Sequence, residues 1–214
     1  MNEKLDELVK YLGQLSAYKL PDYESIPDGV KMEESINFIN GVLSSFDTKG
    51  ENRVTNYMIN NYVKAKIISS PKDKTYSREQ IAYTIFISLL KNCSSLRNIA
   101  SLIAIDEDYI EDKNDLYDFY CNLQESADKE VAKEASEISK KAALMEDQKQ
   151  VTLRLAYTAL KLYVKSNTEK LVADNIMNLI SDSILPSLSK KDDKKEKVLE
   201  KKILNNEAKL LSKR

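Results

Sequence analysis

Residues 54–82 read VTNYMINNYVKAKIISSPKDKTYSREQIA. Thr55 has the side chain of a helix N-cap, whose hydroxyl accepts from an amide that the first helical turn leaves without a partner. The helix it opens is expected to reach Lys66, with Met58, Ile59, Tyr62 and Ala65 on one face. Pro71 then interrupts the chain, and Lys72, Asp73 and Lys74 make a charged tip. Ser77 and Gln80 stand three apart, the spacing of a capping box, and start a second helix. The segment is therefore a capped helix, a short basic connection and another capped helix.

That order is the plan of a winged helix-turn-helix, and it makes duplex DNA the leading partner. Tyr57, Asn60, Asn61 and Lys64 fall at i, i+3, i+4 and i+7, so the sequence places them together, opposite the apolar face. Their chemistry suits a major groove. Asn can pair with the N6 and N7 edge of adenine, Lys with guanine acceptors or phosphate, and Tyr with phosphate or a thymine methyl. A short two-stranded wing within Ser69–Tyr76 would lay Lys72, Lys74 and Arg78 along the sugar–phosphate backbone. An all-polar face of a surface helix is more often only solvated. Two adjacent Asn weaken that reading, because Asn is a poor helix former.

Charge supports the same segment. The 214-residue chain carries 33 basic and 34 acidic side chains, a net charge of −1. Residues 53–103 hold eight basic and two acidic groups, so their local balance is positive. Residues 1–52 and 104–189 are acidic, and 190–214 are Lys-rich. A duplex presents one negative charge per roughly 1.7 Å of axis, so local sign matters more than the total.

The rest of the chain reads as mainly α, with only four Gly and four Pro. Residues 3–16 form an amphipathic helix, followed by a loop marked by Pro21, Pro27 and Gly29. A helix over 31–46 buries Ile36, Ile39, Val42, Leu43 and Phe46, and DTKGEN (47–52) is a polar connector. Ser94 or Ser95 caps a helix that buries Leu96, Ile99 and Ile103. Residues 114–145 form one long polar helix, and 150–165 another. Ser166 and Glu169 then offer a capping box for a last helix ending at Pro186. The expected layout is an N-terminal helix and linker (1–28), a winged helix-turn-helix (29–105), an acidic helical domain (106–189) and a helical or disordered tail (190–214).

Other chemistry finds little footing. There is no His, the commonest general base and metal ligand, and the four Gly are isolated, so no phosphate loop forms. Asp106-Glu107-Asp108 and Glu111-Asp112 read as solvated helix starts. Cys93 and Cys121 lie far apart and suit neither a disulfide framework nor a thiolate cluster. No enzyme activity, cofactor or metal is expected. The longest apolar run, Ile81 to Leu90, is shorter than the ~20 residues of a membrane span. With no signal peptide pattern at MNEKLDEL, a soluble cytoplasmic protein is expected.

NNYVKAKII (60–68), YSREQI (76–81) and SSLRNI (94–99) resemble the MerR-type winged helix. More closely, MINNYVKAKII with KTYSREQIA looks like a bacterial family of MerR-like proteins of unknown function, and LPDYESIP (20–27) resembles its entry segment. The resemblance covers about residues 20–105. It implies an N-cap role for Thr55, groove-facing roles for Asn56, Tyr57, Asn60, Asn61 and Lys64, and wing roles for Lys72, Lys74 and Tyr76. The connector before Thr55 is longer than in typical MerR proteins, and Asn60 stands where those proteins often carry Arg. Nothing after Ile105 resembles an effector-binding module. The function expected is sequence-specific DNA binding by a bacterial transcriptional regulator, acting as a homodimer on two half-sites. The alternative is a helical protein–protein adaptor that uses the same polar face.

Overall fold

Helical periodicity dominates the sequence, and the computed structural model, which describes residues 2–46, 53–109, 115–145 and 147–184, is mainly helical. Its elements in chain order are α1 (Asn2–Ala17), a 3-10 turn (Tyr23–Ser25), β1 (Val30–Lys31), α2 (Met32–Leu43), α3 (Asn56–Lys64), β2 (Thr75–Tyr76), α4 (Arg78–Leu90), α5 (Leu96–Tyr109), α6 (Asp115–Ala143) and α7 (Gln148–Ile184).

The apolar run after Ser77 explains the centre of the fold. Every residue from Gln80 to Ser88 is buried, so α4 has no solvent face along its middle. A helix buried all round must satisfy its polar side chains internally. Thr84 donates its hydroxyl to the Gln80 carbonyl at 2.7 Å, and Ser88 donates to the Thr84 carbonyl at 2.7 Å. Around α4 packs one core that includes Ile26, Ile39, Leu43, Val54, Ile59, Tyr62, Ile99 and Ile103. Tyr117 and Tyr120 of α6 belong to it too, and the Phe86 and Tyr120 rings meet edge to face at 4.9 Å. The core therefore runs on past Ile105. α1 lies along α6, and α2 touches α3, β1, β2 and α4.

The caps stand where the sequence put them. Thr55 Oγ1 accepts from the Met58 amide at 3.4 Å. Ser77 and Gln80 form the reciprocal capping box, with Ser77 Oγ accepting from the Gln80 amide and Gln80 Oε1 accepting from the Ser77 amide. Of the two candidates before α5, Ser95 caps it, accepting from the Asn98 amide at 3.1 Å.

Two expectations about elements fail. The capping box at Ser166 and Glu169 does not start a helix, because α7 is continuous from Gln148 to Ile184. No Gly or Pro stands there to break it, and Thr168 returns its hydroxyl to the Val164 carbonyl at 3.0 Å. The strand at Thr75–Tyr76 does not pair along a wing hairpin confined to Ser69–Tyr76. It pairs antiparallel with β1, Val30 opposite Tyr76 and Lys31 opposite Thr75. Within the expected hairpin only the single bridge between Lys72 and Thr75 forms.

The chain divides into two units, residues 1–170 and 171–214. In the second, Met177 and Ser181 are buried, while Leu171, Val172, Ile176 and Leu179 are exposed. The DTKGEN connector, the Glu111-Asp112 pair, the side chains of Asp106, Glu107 and Asp108, the end at Pro186 and the Lys-rich tail lie outside the described residues. Among the described residues no helix is long and apolar enough to cross a membrane.

Candidate nucleic-acid interface

Helix α3 is short and is fixed at both ends. At its start Asn40 reaches from α2 to Val54, donating Nδ2–H to the Val54 carbonyl at 3.0 Å and accepting from the Val54 amide through Oδ1 at 2.7 Å. This pair of bonds anchors the residue before the Thr55 cap, and Val54 itself is 2% exposed. At its end the Lys66 amide donates to the Val63 carbonyl at 3.0 Å and the Ile67 amide to the Tyr62 carbonyl at 2.9 Å. Lys66 has φ 57°. That is the hydrogen-bond pattern of a Schellman stop, with Lys66 in the left-handed position usually given to Gly and Ile67 buried beyond it.

Between these ends the two faces separate almost as expected. Ile59 and Tyr62 are buried, Met58 and Ala65 half-buried. Asn56, Tyr57, Asn60 and Lys64 are exposed, Tyr57 by 48%. Asn61 is the exception, at 5% exposure. On one i, i+4 ridge it stands between exposed Tyr57 and half-buried Ala65, at the edge of the buried face, and at 5% exposure it cannot present its amide to a groove.

The basic connection is a tight turn. Lys72 and Thr75 exchange backbone bonds, the Thr75 amide donating at 2.8 Å and the Lys72 amide at 3.1 Å. The two residues between them, Asp73 and Lys74, have φ 50° and 64°, the positive values of a type I′ turn. Lys72, Asp73 and Lys74 are all exposed. Tyr76, expected on the wing, is instead 4% exposed and belongs to the core. Alternation along the strand explains it: pairing with Val30 turns Tyr76 inward.

Arg78 also leaves the expected interface. Its Nε donates to the Ile26 carbonyl at 3.0 Å, its guanidinium pairs with Glu24 and lies 5.6 Å over the Tyr23 ring, and its backbone amide donates to Asp28 Oδ1 at 2.8 Å. Arg78 thus clamps the DYESIPD segment to the start of α4. Gln80 has a related role, donating through Nε2 to the Ser69 carbonyl at 2.7 Å while closing the capping box.

Arg53, Lys64 and Lys66 around α3, and Lys72 and Lys74 in the turn, are exposed, and none of these five makes an ion pair with a described residue. Arg53 and Lys66 were not singled out from the sequence, although each flanks α3. Asn40 was missed as well. Its only signal was an Asn one position after the buried Ile39. Among the described residues no group of three acidic or Cys side chains is placed to hold a metal ion.

The segment from the clamped entry loop through α3, the turn and α4 to the aromatic start of α6 is one continuous stretch of core. A domain of unknown function, DUF1836, covers residues 19–123. The DUF1836 match opens beside Leu20 and closes just after Tyr117 and Tyr120, so it takes in the α6 aromatics that complete the core. It extends beyond Ile105 and omits the whole of α1. No curated protein and no solved structure matches the chain.

Proposed function

We propose that this protein binds double-stranded DNA in a sequence-dependent way and regulates transcription, through a MerR-like winged helix-turn-helix in which α3 enters the major groove. One observation carries the reading: the exposed α3 face Asn56, Tyr57, Asn60 and Lys64, capped at Thr55, is flanked by Arg53, Lys66 and the Lys72–Lys74 turn, basic groups without acidic partners among the described residues. Asn60 would read a base edge, Tyr57 and Lys64 would contact phosphate or base, and Lys72 and Lys74 would hold backbone phosphates. Asn61, Tyr76 and Arg78 have structural roles in this reading. A helix of nine residues offers few base contacts, so a homodimer on two half-sites is part of the proposal.

Selection of bound sites from random duplexes, followed by anisotropy titration at several salt concentrations, tests it. Binding should weaken with salt, with a logarithmic slope of about −0.9 for each phosphate neutralised. Absence of binding at low ionic strength, or binding indifferent to salt, refutes the proposal and returns the α3 face to protein contact.

A further inference from the structure

The hairpin of α6 and α7 is open along one side. Its turn is closed by Ala142 and Val151, both fully buried, with Met145 and Leu155 against them. Further along, α7 is tied to α6 by charge: Lys161 pairs with Glu134, and Lys165 lies 3.6 Å from Glu130. Beside this ladder runs a groove of about 560 Å³, whose lining includes Ile138, Leu153 and Tyr157. Leu153, Tyr157, Leu160 and Val164 follow at spacings of four, three and four, and so form one stripe on α7. They are 51%, 62%, 57% and 58% exposed.

We infer that this stripe is the dimer interface, and that its occupant is the same α7 stripe of a second copy, the two α7 helices packing against each other side by side on the face turned away from α6. This deepens the homodimer of the proposed function by naming its surface, and it rests on that part of the reading alone. Three features select a second copy. The spacing is the a/d repeat that packs helix on helix at a shallow crossing angle. A two-fold helix pair is isologous, so a stripe on one copy meets the same stripe on the other. The area also fits. At the exposures above, four side chains present roughly 450 Å² of apolar surface. A standard interface buries about 800 Å² per partner, of which about 65% is apolar in homodimers, or ~500 Å². Charge opposes any slippage of the ladder, because α6 offers Glu130 and Glu134 and α7 offers Lys161 and Lys165.

The experiment is sedimentation of the full chain without DNA, from micromolar concentrations upward. Wild type should be dimeric. Leu160→Glu, and separately Val164→Lys, should raise the dimer dissociation constant by on the order of 100-fold, since each charge enters a two-fold interface twice. Helix content by circular dichroism should not change, because both side chains are exposed. Tyr163→Glu, on a more exposed residue outside the stripe, should leave the dimer intact. A monomeric wild type, or a dimer indifferent to both stripe variants, overturns the inference. No duplex is present, so failure of DNA binding cannot be mistaken for failure of the dimer.

Discussion

Replacing Asn40 by Ala should loosen α3 at its root. The Asn40 side chain makes two bonds to Val54, at 2.7 and 3.0 Å, one as acceptor and one as donor. A net hydrogen bond contributes about 0.5–1.5 kcal/mol, so the direct loss is about 1–3 kcal/mol. Because Val54 is buried, water replaces these bonds poorly, which places the expected cost in the upper half of that range. By comparison, Thr55→Ala removes one capping bond that is already 3.4 Å long, and should cost only about 0.5–1 kcal/mol. Urea denaturation followed by circular dichroism separates the two. Asn40→Asp is the informative control: it keeps the acceptor for the Val54 amide but sets a carboxylate oxygen against the Val54 carbonyl. It should be no more stable than Asn40→Ala. If Asn40→Ala unfolds within about 0.5 kcal/mol of wild type, the idea that α3 is anchored from α2 is wrong.

Asn60→Ala should reduce discrimination between duplex sequences without changing helix content, read by competition titration with matched and mismatched sites. Lys72→Ala with Lys74→Ala should weaken all duplexes alike and flatten the salt slope by about one for each lost phosphate contact. Arg78→Ala should lower stability by about 2 kcal/mol, because it removes the bond to Ile26, the pair with Glu24 and the stacking over Tyr23, yet leave DNA affinity per folded molecule unchanged. A stable Arg78→Ala protein that loses DNA would restore Arg78 to the interface. Asp128 gives a pH test. Burial holds its carboxyl above the usual range, against a smaller lowering by the Gln124 hydrogen bond. The unfolded chain therefore ionises first, and stability falls as pH rises from the unfolded value of about 3.9 toward the folded one. Asp128→Asn should raise the melting temperature at neutral pH and have no such effect in acid; equal shifts at both would exclude desolvation as the cause. Burial also pushes the Cys121 thiol up to about 11, whereas Cys93 is exposed, so an alkylating reagent at mildly alkaline pH should label Cys93 first in a mass-spectrometric time course.

The parts of the fold that were readable from sequence are those set by local chemistry. Thr55, Ser77 with Gln80, and Ser95 act on amides three residues away, so spacing alone locates them. What could not be read depends on partners distant in the chain. Tyr76 looks like a wing aromatic until Val30, 46 positions earlier, is known to pair with it. Arg78 looks like a phosphate contact until Glu24, Ile26 and Asp28 are known to surround it. Asn61 sits at the margin of a polar arc, where a small rotation of the helix decides between core and solvent. The continuity of α7 through Ser166 has a different cause: a capping pair is permissive, and without a breaker nothing obliges the helix to restart there.

The turn at Asp73 and Lys74 carries one more consequence. Both residues sit in the left-handed region, where a side chain costs about 1–3 kcal/mol. Lys74→Gly would relieve part of that strain and delete a cation in the same step. If Lys74 holds phosphate, selection on folding and selection on binding pull that single position in opposite directions. Variants chosen for thermal robustness alone should collect Gly at 74 and lose grip on DNA, whereas variants chosen for retention on a duplex should keep Lys there and remain less stable.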